Sequence, residues 1–118
     1  MEIGKRYIFV GDNKTFAGDV VSMTGQTLTL RNHSDETYQN GQGLHSMPLT
    51  TIKSTCLVDK LVVGQHYVFT LRGKTNEGEY MSISWKSGTV HIKHNTETIS
   101  FPFYWIQNIQ SSDNLPLL

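Results

Sequence analysis

The sequence predicts an all-β chain made of two tandem units packed against each other, and three observations carry that prediction. First, one frame occurs twice, as Ser46-Met47-Pro48-Leu49-Thr50-Thr51-Ile52 and as Ser100-Phe101-Pro102-Phe103-Tyr104-Trp105-Ile106. Second, the chain aligns with itself. Ile3-Gly4-Lys5-Arg6-Tyr7-Ile8-Phe9 lies over Val63-Gly64-Gln65-His66-Tyr67-Val68-Phe69, and Lys14-Thr15, Gly18 and Ser22 meet Lys74-Thr75, Gly78 and Ser82. Self-similarity at a fixed offset marks a repeat architecture. Third, the apolar residues alternate with polar ones or are β-branched and aromatic, the composition of strands.

The elements follow in order. Tyr7-Ile8-Phe9-Val10 and Tyr67-Val68-Phe69 read as opening strands, each closed by a turn cluster, Gly11-Asp12-Asn13-Lys14 or Arg72-Gly73-Lys74. Gly18 to Met23 reads as the second strand, with the glycine at a bend or bulge. Thr24-Gly25-Gln26 and Lys86-Ser87-Gly88 read as hairpin turns, with a small insertion near Ser84-Trp85 in the second copy. Thr27 to Arg31 alternates, placing Leu28 and Leu30 on one face. Its counterpart points Val90 and Ile92 inward and Thr89, His91 and Lys93 outward. A proline cannot donate to a central ladder, so Pro48 and Pro102 close a strand. A turn of 3₁₀ helix follows, and Ile52 or Ile106 plugs the core. No amphipathic helical period with caps appears, so no long helix is expected.

Strand, bent strand, hairpin, strand, 3₁₀ turn and final strand is the order of SH3-like and Sm-like small β-barrels, and each copy resembles that fold. The resemblance gives a first barrel over 1–58, a second over 59–112 and a C-terminal tail over 113–118. Sm-like proteins assemble into rings and bind RNA, so the resemblance implies a homo-oligomer. Their motifs are an Asp/Asn turn after the second strand and an Arg-Gly step before the last. Thr24-Gly25-Gln26 and Lys86-Ser87-Gly88 lack the first, and Arg72-Gly73 lies in the wrong turn for the second. No RNA-binding residue is carried over, and fold by itself does not give function.

Composition narrows the classes. The 118 residues carry ten basic and ten acidic groups, balanced between the halves. No general basic field marks a nucleic-acid binder. The one cysteine, Cys56, excludes an internal disulfide and reads as a small buried residue. No signal peptide or membrane span is expected, which points to the cytoplasm and away from a membrane partner. The connection Thr55 to Leu61 lacks linker composition and is expected to hold the units together. The tail reads as frayed, or as a docking segment that buries its leucines.

Catalytic frames are missing. Gly73-Lys74-Thr75 resembles the end of a phosphate loop, but Val68 stands where the first glycine is needed and a strand follows. No nucleophile elbow or paired carboxylate in an apolar setting appears, so no enzyme, cofactor or metal site is expected. Two binding regions remain. The loop 32–45 supplies His33, Asp35, Glu36, Tyr38 and His45 as a partner-contacting set whose spacing fits no zinc pattern. The second copy gathers Arg72, Trp85, Lys86, His91, Lys93, Tyr104 and Trp105, aromatic and basic residues of the kind that stack a base and meet its phosphate. The same aromatics also suit an interface between the copies. The expectation is a non-catalytic regulator or inhibitor acting on a protein partner, in a setting such as a phage or mobile element. The alternative is a nucleotide- or single-stranded RNA-binding protein using the aromatic side of the second copy.

Overall fold

Alternation of inward and outward side chains becomes ten antiparallel strands in a computed structural model that describes residues 1–12, 14–32, 43–112 and 117. The first half holds β1 (Arg6–Gly11), β2 (Thr15–Thr24), β3 (Thr27–Asn32), β4 (Leu44–Pro48) and β5 (Ile52–Leu57). The second holds β6 (His66–Leu71), β7 (Lys74–Ser84), β8 (Thr89–His94), β9 (Glu97–Pro102) and β10 (Ile106–Ser111). They form two five-stranded sheets, β4-β3-β2-β1-β5 and β9-β8-β7-β6-β10, with the same order in each half. Among the described residues each strand pairs only within its own half, and there is no α-helix.

The two halves repeat each other down to single hydrogen bonds. Gly4 N–H donates to Val20 O at 2.8 Å, and Gly64 N–H to Tyr80 O at 3.0 Å. Both glycines sit at positive φ, 87° and 92°, where a side chain is strained. Glu2 N–H donates to the Tyr7 hydroxyl at 2.8 Å, and Val62 N–H to the Tyr67 hydroxyl at 2.9 Å. Leu49 N–H reaches Gln26 O as Phe103 N–H reaches Gly88 O, at 2.8 and 2.7 Å. Pro48 and Pro102 end β4 and β9, and each passes into a 3₁₀ turn, Leu49–Thr51 or Phe103–Trp105. Register shifts at Val20/Ser22 in β2 and Tyr80/Ser82 in β7 bend the long strands at matching places.

The copies diverge at their loops. β2 and β3 are joined by two residues, Gly25 and Gln26, after the pair Thr24↔Thr27. The second copy turns through four, Trp85 to Gly88, after Ser84↔Thr89. The insertion expected near Ser84-Trp85 therefore widens the hairpin, and Lys86-Ser87-Gly88 is part of that wider loop rather than a tight turn of the first copy's size. The boundary expected at 58/59 falls in a 3₁₀ turn, Val58–Lys60.

Each sheet curves around its own core. Tyr7, Phe9, Phe16, Val20, Leu28 and Leu30 fill the first. Tyr67, Phe69, Tyr80, Val90, Ile92, Phe101, Phe103, Ile106 and Ile109 fill the second. Ile8, Ala17 and Cys56 are also buried, but with the second cluster. They stand opposite one another across β2, β1 and β5, on the outer face of the first sheet. That apolar stripe fastens the halves together. Around it, β2 packs on the 3₁₀ turn Phe103–Trp105, and the Thr15 hydroxyl donates to Ile106 O. The Arg6 guanidinium lies 4.5 Å from the Trp85 ring while its Nε holds Asp19 at 2.7 Å. The inserted loop thus supplies an aromatic to the junction. Cys56 is buried as its sequence context suggests, and burial pushes its thiol up from 9.0 to about 11 against a smaller lowering by Lys60. In the tail, Leu117 N–H donates to Ile109 O at 2.9 Å and its side chain packs on the second core.

Among the described residues no helix is long and apolar enough to cross a membrane.

Candidate functional site

The junction of the two units leaves a cleft of about 400 Å³, and its walls come from equivalent places in the two copies. The first copy contributes the turn after β1, with Gly11, Asp12 and Lys14, and Lys53 from β5. The second contributes Arg72 from the turn after β6, the 3₁₀ residues Tyr104 and Trp105, and Gln107 from β10. In the self-alignment Asp12 corresponds to Arg72, and Lys53 to Gln107. The cleft is therefore one surface of the repeat facing itself with different chemistry on each side.

Burial of Phe103 and Ile106 leaves the two aromatics between them at the edge of the core. Phe103 and Ile106 are almost wholly buried, which turns Tyr104 out to 60% exposure and leaves Trp105 half-buried between them. Arg72 packs on both rings, its Cζ 4.5 Å from the Trp105 centroid and 5.9 Å from that of Tyr104. Such contacts hold a guanidinium in place while leaving its N–H groups open to an anion. Among the described residues no carboxylate pairs with Arg72. Its backbone is left-handed, φ 50°, in the two-residue hairpin Arg72-Gly73, a position that Asn or Gly adopts more cheaply. Gly73 N–H donates to Gln107 Oε1 at 2.7 Å, which ties that hairpin to β10. Across the cleft, Lys53 Nζ lies 3.0 Å from Asp12 Oδ1, an exposed pair of small energetic weight. Lys14 Nζ lies 5.7 Å from the Phe16 ring centroid. Among the described residues that line the cleft are three cations and one carboxylate, on a neutral chain.

The residues named from sequence divide between this cleft and other places. Arg72, Tyr104 and Trp105 meet in it. Trp85 lies at the junction, stacked by Arg6 and 5.7 Å from Phe103, and Lys86 follows it in the widened loop. His91 stands on the outer face of β8, with Nε2 2.9 Å from Ser84 Oγ and Nδ1 2.7 Å from Ser100 Oγ. The first copy has Thr29 Oγ1 2.8 Å from Ser46 Oγ at the equivalent rung, so this is a cross-strand ladder of the repeat. Lys93 faces outward near the end of β8, paired with Thr98 in the register. His45 lies half-buried in β4 opposite Leu30. His33, Asp35, Glu36 and Tyr38 lie outside the described residues. Among the described residues no group of three His, Cys, Asp or Glu side chains is arranged to hold a metal.

Sequence reasoning missed Lys14, Lys53, Asp12 and Gln107. Their signal was the self-alignment itself, since each corresponds to a residue on the opposite wall or in the aromatic copy. No family model matches the chain, and no curated protein matches it in sequence.

Proposed function

We propose that the chain is a non-catalytic binding protein that takes a nucleotide-class ligand, a planar base carrying phosphate, between two SH3-like or Sm-like small barrels. The observation that carries this reading is Arg72, stacked on Trp105 beside the exposed ring of Tyr104 and facing Lys14 and Lys53. A base stacks on such a ring regardless of its identity, and the cations meet the phosphate. The barrel kinship is supported by the shared strand order and by the 3₁₀ turn before each last strand. The cytoplasm, where nucleotides are plentiful, fits this reading.

A second reading, regulation through a protein partner or another copy of the chain, draws on a different surface. Ile3 and Val63, equivalent in the two copies, are 67% and 69% exposed, and apolar side chains left outside at matching positions suit a contact.

Native mass spectrometry of the protein taken directly from cells tests both. Extra mass in the nucleotide range, lost in Tyr104→Ala, is the expected result. A bare whole number of chains, with no tryptophan fluorescence response to added nucleotides, would sink the ligand reading. Discrete oligomers that dissociate on Val63→Asp support the second.

A further inference from the structure

Arg72 and Trp105 line a second hollow as well, of about 310 Å³. Its floor is apolar, with Leu71, Ile99 and Phe101, and its rim carries Lys74, Asn76 and Ser100. The two hollows thus share one wall. Each offers a ring or apolar floor for a base, each has a lysine the other lacks, and Arg72 borders both. Asn76 adds an amide that reads a base edge, while the Ser100 hydroxyl is engaged by His91.

We infer that the site holds two adjacent nucleotides joined by one phosphodiester, one base in each hollow and the linking phosphate on Arg72. This rests on the nucleotide reading and extends it. The backbone of Arg72 supports the assignment. An arginine kept at φ 50° in a hairpin that favours asparagine or glycine is there for its side chain. The equivalent residue of the first copy is Asp12, so the position itself does not demand arginine. Charge supports a short ligand. Four of the ten basic residues, Lys14, Lys53, Arg72 and Lys74, border these two hollows, on a chain whose net charge is zero. A long strand needs a basic track over its whole length.

The shared chemistry, two linked nucleotides, has two sources, a free dinucleotide or a stretch of a longer single strand. The test is calorimetric titration of the whole protein with ribonucleoside monophosphates, dinucleoside phosphates and longer single-stranded oligonucleotides. Dinucleoside phosphates are expected to bind at least about tenfold more tightly than monophosphates, the gain of one further stacked base. Lys74→Glu and Asn76→Ala, both on the second hollow alone, are expected to erase that gain and leave monophosphate binding in place. Longer strands no tighter than dinucleotides point to a free dinucleotide, and tighter ones to a strand. Salt dependence separates these further, with a log–log slope of about −0.7 per phosphate engaged. Equal affinity for monophosphates and dinucleotides overturns the two-base site while leaving the nucleotide reading intact. A preference for dinucleotides that survives both variants overturns the placement. Failure of every nucleotide to bind removes both readings.

Discussion

Ile8→Ala tests how the two halves are held. Ile8 lies on the outer face of β1, beside Ala17 and Cys56, and is fully buried although its own core lies on the other face of the sheet. In an isolated first unit this side chain would meet water. Its burial is therefore a property of the junction. Truncating a fully buried Ile to Ala costs about 2–5 kcal/mol, through lost transfer energy and the cavity left behind. That is a large share of the roughly 5–15 kcal/mol that stabilises a domain. The assay is urea unfolding followed by two probes. Both tryptophans, Trp85 and Trp105, belong to the second unit and border the junction, so fluorescence reports that half and its docking, while far-ultraviolet circular dichroism reports both halves. The wild type is expected to unfold with coincident transitions. Ile8→Ala, in the first half, is expected to lower the fluorescence midpoint of the second half as well. Leu44→Ala at an exposed site is the control and should stay within about 0.5 kcal/mol. A fluorescence midpoint unmoved by Ile8→Ala would mean that the halves are independent and that this junction does not hold them.

Three further outcomes follow from the geometry. A methyl on Gly18 would lie 2.6 Å from Leu30 Cδ1 and 2.7 Å from Arg31 O, against 3.0 Å from Lys93 O at Gly78. Thermal melts should therefore show Gly18→Ala costing about 1–3 kcal/mol by overpacking and Gly78→Ala less. Trp105→Ala should cost about 2 kcal/mol of stability, since that ring packs partly on the second core, whereas Tyr104→Ala should leave the melt unchanged and remove ligand binding. Burial raises the folded Cys56 thiol from 9.0 to about 11. The folded state then keeps a proton that the unfolded chain releases. Its contribution is whole below pH 9 and declines as pH rises towards 11, by up to about 3 kcal/mol. Urea midpoints across that window should fall more steeply for the wild type than for Cys56→Ala.

Local chemistry made much of the fold legible. Gly4 and Gly64, Tyr7 and Tyr67, and Pro48 and Pro102 recur because each serves the same backbone demand in each copy: a positive φ, a hydroxyl that accepts a backbone N–H, a strand end without a donor. The exposure of Tyr104 followed from placing Phe103 and Ile106 inside. The widened hairpin at Trp85 was less legible, because an insertion shows its position and not the geometry it adopts.

The repeat, its strands, their inward faces and the aromatic side of the second copy were legible in the residues alone. These depend on period and turn chemistry, which act between near neighbours. Which outer face is covered, and what meets across the junction, emerged with the packing of the two units. Ile8 reads as an ordinary strand residue until the second unit closes over it, and Cys56, expected to be buried, proves to be covered by that same unit. Lys14, one member of a turn cluster, and Lys53 join the site only when packing brings them to the cleft with Arg72 and Trp105. Contacts between distant segments depend on how two finished surfaces dock, and no local pattern in the chain encodes that pairing.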